Sequence, residues 1–333
     1  MALLNANVAT LADWAKRLDP DGKVPSIVEL LSQTNSILDD MLWKEGNLPT
    51  GERTTIRTGL PTVAWRLLNQ GVQPSKSTTA QVDEGCGMLE AWSEVDKDLA
   101  ELNGNTAAFR LSEATAFIEA MNQEMAQTLF YGNAGTAPEE FTGLSIRYSD
   151  VNAPNSQNII DAGGSGADNS SIWLVCWGAQ TVHGIFPKGS KAGLTHEDLG
   201  LETVETTNGI GGARMRAFRD HWQWKAGIAL KDWRYVVRIG SIDISNLIAN
   251  AGAESKITQL MIKAIHRLPN LNMGTPVFYM NRTVFEMLDI QRLAAVGTGG
   301  GISFENVDGK MIPSFRGIPI KVVDALTENE AAV

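Results

Sequence analysis

Between Pro49 and Gly71 the side chains alternate with a period of two, and this segment limits what the chain can fold into more than any other. Thr54, Ile56 and Thr58 fall on one side, Arg53, Thr55 and Arg57 on the other. Gly59-Leu60-Pro61 interrupts the run, after which Val63, Trp65 and Leu67 alternate with Ala64, Arg66 and Leu68. The pattern predicts a β-hairpin over 49–71 followed by a polar loop, GVQPSKSTT. Its strands are only partly apolar, and an isolated two-stranded hairpin is marginal in water. It has to lean on another part of the chain or on another molecule.

Helical periodicity flanks this segment. Leu11, Trp14, Ala15 and Leu18 share a face over Thr10–Leu18, with Thr10 and Asp13 spaced as a capping box. A second helix is predicted from Ser26 through Ile27, Leu30, Leu31, Leu38, Met41 and Leu42 to Gly46. Residues 83–101 hold seven Asp or Glu against the single Lys97. The longest helix is expected over 112–131, capped by Ser112 and striped by Ala114, Phe117, Ile118, Met121, Met125, Thr128 and Leu129. Gly132 is expected to close it in the left-handed conformation. At about 1.5 Å per residue such a rod is roughly 28 Å long.

From 133 to 170 the sequence is loop-rich, and then strands return. Ile172–Trp177 is apolar on both faces, as a buried strand requires. Phe218, Trp222, Trp224, Ala226 and Ile228 share one parity with Asp220 as the exception, while Arg219, His221, Gln223 and Lys225 hold the other. After Lys231-Asp232 a second alternating run carries Trp233, Tyr235, Val237 and Ile239 against Arg234, Val236 and Arg238, and the two runs are expected to pair antiparallel. A helix over 257–268, a strand over 276–280, a helix with Thr283 and Glu286 as capping box, a turn at Asp308-Gly309 and a closing strand over 316–324 complete the reading. Helices and strands are mixed without a βαβ rhythm, so the fold class is α+β.

Bulk properties set outer limits. With 333 residues, two packed units plus extensions are expected. An apolar fraction of 43% with 20% charged residues fits a folded soluble protein. No apolar run approaches the roughly 20 residues of a membrane span, and no signal peptide is expected. Cys86 and Cys176 are too few for a disulfide framework or a Cys-based zinc site. The net charge of −10 argues against a dedicated nucleic-acid binder, though not against a protein that encloses nucleic acid without gripping it.

The chemistry-bearing motifs are near misses. Gly184–Gly189 is followed by Ser190 before Lys191, one place late for a phosphate loop. Gly163–Ala167 lacks the last Gly of a nucleophile elbow. His183, His196, His221 and His266 form no HxH or HExxH pair, and His196 before Glu197 and Asp198 reads better as a helix start capped by Thr195 than as a metal site. Asp150, Asn152, Asn155 and Asp161 lack the Gly of a calcium loop. Residues 214–238 hold seven Lys or Arg among five aromatics. Opposite parity makes them core aromatics under a basic outer face sooner than a stacking groove. The reading therefore calls for no catalytic residue, cofactor or metal.

Several blocks together resemble the major capsid proteins of tailed bacteriophages. LPTGERTTIRTGLPTVAWRLLNQGVQPSKSTTAQV (48–82) is similar to their extended-loop region. FTGLSIRY (141–148), SIWLVCWGAQTVHGIFPKGSKAGL (171–194), DWRYVVRIGSIDIS (232–245), FYMNRTVFEMLD (278–289) and GIPIKVVDAL (317–326) resemble further blocks in the same order. The resemblance implies the Hong Kong 97 capsid fold. It places an N-terminal arm at 1–47, an extended loop at 48–82, a peripheral domain at 83–150 with a spine helix at 112–131, and the remaining peripheral strands and axial domain at 151–333, with a strand order open to rearrangement. It also implies a virion protein, assembled in the host cytoplasm, that associates with itself as hexamers and pentamers around double-stranded DNA. Portal and scaffolding proteins are then expected partners, and a decoration or cement protein is left open.

The residues expected at contacts between subunits are Arg57, Trp65 and Arg66 on the loop, the basic face of Arg219, Lys225, Arg234 and Arg238, and the acidic stretch with Glu94, Asp96 and Asp98. The basic and acidic sets are expected to meet within or between subunits. The competing readings are an encapsulin-like compartment, another virion component, and a hydrolase using His183 or His196.

Overall fold

The computed structural model describes residues 32–102, 106–205, 214–249, 257–294, 302–307 and 310–333. The helix expected over Thr10–Leu18, the first part of the one expected from Ser26, and Asp308-Gly309 lie outside the described residues. The first elements are α1 (Ile37–Asp40), β1 (Trp43–Glu45), β2 (Gly51–Gly59), β3 (Thr78–Gly85), β4 (Gly87–Asp96), α2 (Lys97–Glu101), α3 (Thr106–Tyr131) and α4 (Leu144–Arg147). Then come β5 (Ile159–Asp161), β6 (Asn169–Trp177), β7 (Val182–Phe186), β8 (Leu194–Glu205), β9 (Arg214–Leu230), β10 (Val236–Asp243), α5 (Ile244–Ala249) and α6 (Ile257–Arg267). The last are β11 (Thr275–Met280), α7 (Arg282–Ala294), β12 (Ile302–Val307), β13 (Lys310–Phe315) and β14 (Ile318–Val322).

Strand β6 is the centre of the molecule. It pairs antiparallel with β10 on one side and β11 on the other, and every residue of it is buried. Alternation then divides its side chains between two cores. Ile172, Leu174 and Cys176 join the cluster formed with Met261 and Ile265 of α6 and Val284 and Leu288 of α7. Trp173, Val175 and Trp177 join a second cluster with Met125, Leu129 and Phe130 of α3. Strand β11 obeys the same rule, with Phe278 and Met280 in the first core and Val277 and Tyr279 in the second. A strand covered on both faces has no polar side to show, which is why 172–177 reads as a continuous apolar run.

The pairing expected between 216–228 and 233–239 does not occur. Strand β9 runs on for 17 residues and pairs with β4 and β8 along its first part and with β7 at its end. After β9, Asp232 accepts the backbone N–H of Arg234, and β10 then leaves to pair with β6 and β5. The expected outward parity holds for β9 only. On its inner face Trp222 stacks between Phe117, 5.0 Å away, and His196, 5.1 Å away. Asp220, the exception in that parity, is buried because Arg110 reaches it at 2.8 Å and His196 at 2.9 Å.

Other boundaries move for local reasons. Among the described residues the helix expected to run on to Gly46 reaches only through the single turn α1, held where Tyr279 donates to Asp40 at 2.7 Å and Lys321 pairs with the same carboxylate. The chain then extends as β1, pairing parallel with β7 and laying Trp43 over Gly184, where a Cβ would stand 2.8 Å from the ring. Helix α3 begins before Ser112, which therefore lies inside it and caps nothing. Gly132 does not take the left-handed conformation; it follows the helix because a Cβ there would meet the carbonyl of Phe141 at 2.5 Å. Helix α7 is capped by Asn281, whose side chain accepts from the Thr283 N–H at 2.9 Å, so Thr283 is not the cap. The closing strand expected over 316–324 forms as β14 and is shorter by two residues at its start, where Arg316-Gly317 make the turn from β13.

Candidate assembly interface

The hairpin exists, but its second strand is not the one the alternation predicts. Strand β2 pairs antiparallel with β3 from Gly51 opposite Gly85 to Gly59 opposite Thr78, and no strand forms between Leu60 and Ser77. Cross-strand chemistry selects this partner. Arg53 makes two hydrogen bonds to Asp83, at 2.6 and 2.7 Å, and Thr58 bonds to Thr78 at 3.1 Å. The run 63–68 offers Arg53 no carboxylate.

The hairpin is held at its root. Glu52 and Glu84 stand directly opposite each other and both are buried. Opposed like charges destabilise a strand pair, so each carboxylate has its own cation. His183 of β7 approaches Glu52 at 2.9 Å and Lys231 approaches it at 3.0 Å. Arg147 of α4 forks onto Glu84 at 2.6 and 2.5 Å. Burial pushes the Glu52 carboxyl up, but hydrogen bonds from Lys231 and His183 more than offset it and hold it below the ordinary value. Burial, opposed by Glu52, holds His183 below 6.5. Burial and the nearby Glu52 push the Cys86 thiol up to about 11, away from what a reactive thiolate needs.

The tip is the reverse. Every residue from 60 to 76 is exposed, including Trp65 at 103%, Val63 and Leu68. Arg57 lies at the exposed end of β2 and Arg66 beside Trp65. A run of large apolar side chains with no layer to cover it marks an interaction site.

The acidic and basic sets meet at one point within the subunit. Arg219 lies 3.1 Å from Glu94 and 3.0 Å from Glu202, with its guanidinium over the Trp92 ring. Lys225 stands opposite Met88 on the same outer face, half-buried. Asp96 caps α2 by accepting the N–H groups of Asp98 and Leu99, and Asp98 is exposed. Arg234 pairs with its neighbour Asp232 at 2.7 Å. Arg238 does not belong to any outer face. It is 3% exposed, stacked on Trp173, and bonded to Ser171, the Tyr148 carbonyl and Glu330. Alternating parity placed it outside because it cannot show that β10 is covered on both faces.

The sequence reading missed Glu52, Glu84, Arg147 and Glu330. A signal existed for the first two: Gly51-Glu52 and Glu84-Gly85 mirror each other across the hairpin. Glycine is required there, since a Cβ on Gly51 would lie 1.9 Å from the Glu84 carbonyl oxygen.

The residues weighed for catalysis are dispersed. His196 lies on strand β8, so Thr195 begins no helix; the imidazole faces Asp220. Gly184–Gly189 runs from a strand into a turn and not into a helix N-terminus. Among the described residues no group of three or more His, Cys, Asp or Glu is placed to hold a metal ion, and no helix is long and apolar enough to cross a membrane.

A buried two-faced core carrying an outward arm with nothing of its own to rest on is the build of a shell subunit. The cryo-EM structure of bacteriophage Epsilon15 is 33% identical, with 100% of this chain and 99% of that chain covered and a TM-score of 0.79. A family model described as major capsid protein GP7 matches residues 19–333. The chain belongs to the major capsid protein GP7 family, and it is a major capsid protein of a phage head with the α+β, Hong Kong 97-like fold. The capsid of bacteriophage JBD30 matches at 11% identity over 88% of this chain and 91% of that one, with a TM-score of 0.44. The holo-SrpI encapsulin of Synechococcus elongatus PCC 7942 matches at 11% over 71% and 97%, with a TM-score of 0.41. Likeness at that level carries no argument. No curated protein matches the chain.

Proposed function

We propose that this subunit closes, as hexamers and pentamers, into an icosahedral shell that encloses double-stranded DNA without sequence-specific contacts. The shell is assembled in the host cytoplasm with portal and scaffolding proteins, and its outer surface is where a decoration or cement protein would bind. The subunit's role is structural and not catalytic. On this reading residues 1–47 are the arm, 48–82 the extended loop and 83–150 the peripheral domain around α3. Residues 151–333 hold the remaining peripheral strands and the axial domain.

The observation that carries the reading is the fully exposed run from Leu60 to Lys76 beyond a firmly rooted hairpin. Arg57, Trp65 and Arg66 then contact a neighbouring subunit, and Lys225, Asp98 and the exposed Arg234, although paired with Asp232, can do so as well. Many modest contacts, closed into a shell, strengthen one another by factors of about 10²–10⁴. Electron microscopy of the expressed chain tests this: closed shells or capsomer rings are expected. A compact monomer under all conditions overturns it.

A further inference from the structure

The loop and one cavity of the same chain are complementary in shape and charge. Between Arg53 and Asp83 the sequence contains no Asp or Glu, while Arg57, Arg66 and Lys76 give it three positive charges. Its largest apolar side chain, Trp65, is fully exposed and directly precedes Arg66. A cavity of about 260 Å³ opens where the start of β4 passes α3 and the segment 139–141. Its apolar lining comes from Met88, Leu89, Met125 and Phe141, and its acids are Glu124, Glu139 and Glu140. Glu140 accepts the Asn133 N–H at 3.2 Å. Glu124 and Glu139 are exposed, and neither has an ion-pair partner among the described residues. Small-molecule sites usually run to roughly 300–1,000 Å³, so this one suits a single large side chain.

We propose that Trp65 of one subunit inserts into this cavity of a second copy, with Arg66 placed against Glu124 and Glu139. The inference rests on the reading that the loop lies over a neighbour, and it names the seat. The cavity adjoins the hairpin's own root, since Gly87 follows Gly85 by two residues. Nine strand residues at about 3.3 Å each hold the tip about 30 Å from that root. The loop's own cavity is therefore out of register with it, and another copy's is the one it can meet. Trp and Arg are both enriched among the few residues that dominate interfaces, which lie in pockets that exclude water.

A photo-crosslinking phenylalanine analogue replacing Trp65 tests the seat. Shells are assembled from equal amounts of unlabelled and ¹⁵N-labelled chain, irradiated and digested. Adducts joining labelled to unlabelled peptides that contain Met88, Met125 or Phe141 are the expected result. Adducts to another copy at any other site overturn the cavity and leave the loop-on-neighbour reading standing. Adducts confined within one chain overturn both. Adducts with residues 1–31 overturn the cavity as the seat of Trp65.

Charge reversal decides independently, even where the probe blocks assembly. Arg66→Glu is expected to lower shell yield at fixed subunit concentration about tenfold, and adding Glu139→Lys to restore most of it. A yield unchanged by Arg66→Glu, or a loss that Glu139→Lys does not recover, overturns the proposal.

Discussion

Strand β6 and the hairpin of β2 and β3 are both extended chain, yet they are held by opposite means. The interior strand is surrounded: partners on both edges, a helical layer on each face, and no side chain in water. The hairpin has one partner per strand and a few charged bonds at its root. Every residue of β6 thus sits inside the packed interior, whereas the hairpin is anchored to the rest of the subunit at its root, where Glu52 and Glu84 meet their cations. The interior should be costly to disturb anywhere. The hairpin should be costly to disturb only at its root.

The largest effect is expected at Arg238 and Glu330, the ion pair with both partners most deeply buried among the described residues. Glu330→Ala leaves Arg238 buried without its carboxylate, at 4% side-chain exposure, and should cost about 3–5 kcal/mol in denaturant unfolding of the subunit. Replacing both by apolar residues of similar volume should recover most of that loss. If the double replacement is as costly as the single one, the pair contributes more than mutual neutralisation.

Next comes the root. Glu84→Gln weakens the fork from Arg147 and should cost about 1.5–3 kcal/mol, the range of hydrogen bonds to charged groups. The contrast predicts where the loss appears: faster amide exchange over 78–85 with β6 unchanged. Exchange that quickens equally in β6 would abolish the distinction between the two regions.

Acid should act on the root in the same direction with a smaller effect. The folded-state value of Glu52 lies below 4.5, so its contribution is present at neutral pH and is lost as pH falls through that range. His183 lies below 6.5 in the fold, so the unfolded chain takes up its proton first and acidification under 6.5 favours unfolding. Lys231 and Lys44 oppose protonation of His183. Protection factors over 51–59, which correct for the intrinsic slowing of amide exchange in acid, should therefore fall from pH 7 to pH 4, and Glu52→Gln should flatten that dependence.

The smallest effect on stability belongs to the tip. Trp65→Ala removes a side chain that is fully exposed among the described residues and should shift the unfolding free energy by no more than about 0.5 kcal/mol. Shell yield should nevertheless fall. A large stability loss would mean that the tip is supported within the subunit.

The sequence was most legible where one physical rule acts alone. The unbroken apolar run at 172–177 specified a strand covered on both faces, and the structure covers it so. The stripe ending in Met125 and Leu129 specified the half of α3 that is buried. Legibility failed where distant chain decides. Nothing local tells Arg53 to pair with Asp83, 30 residues on, in preference to a strand at 63–68. Nothing near Arg238 shows that a glutamate 92 residues later will neutralise it. Trp65 alternated like a strand residue and proved to lie on a loop, because alternation reports side-chain parity and not hydrogen-bonding partners. The tip was still singled out correctly as under-supported, since that inference needed only the missing apolar surface.

The opposed carboxylates at the root make the hairpin a lever with its fulcrum inside the subunit. Rotation of only 10° about Glu52 and Glu84 would carry an arm of nine strand residues through about 5 Å at its far end. A slight lengthening of the Arg147 or His183 bonds is thus magnified at the tip, the part proposed to meet the next subunit. One sequence can in this way span joints of unequal angle while its core stays rigid.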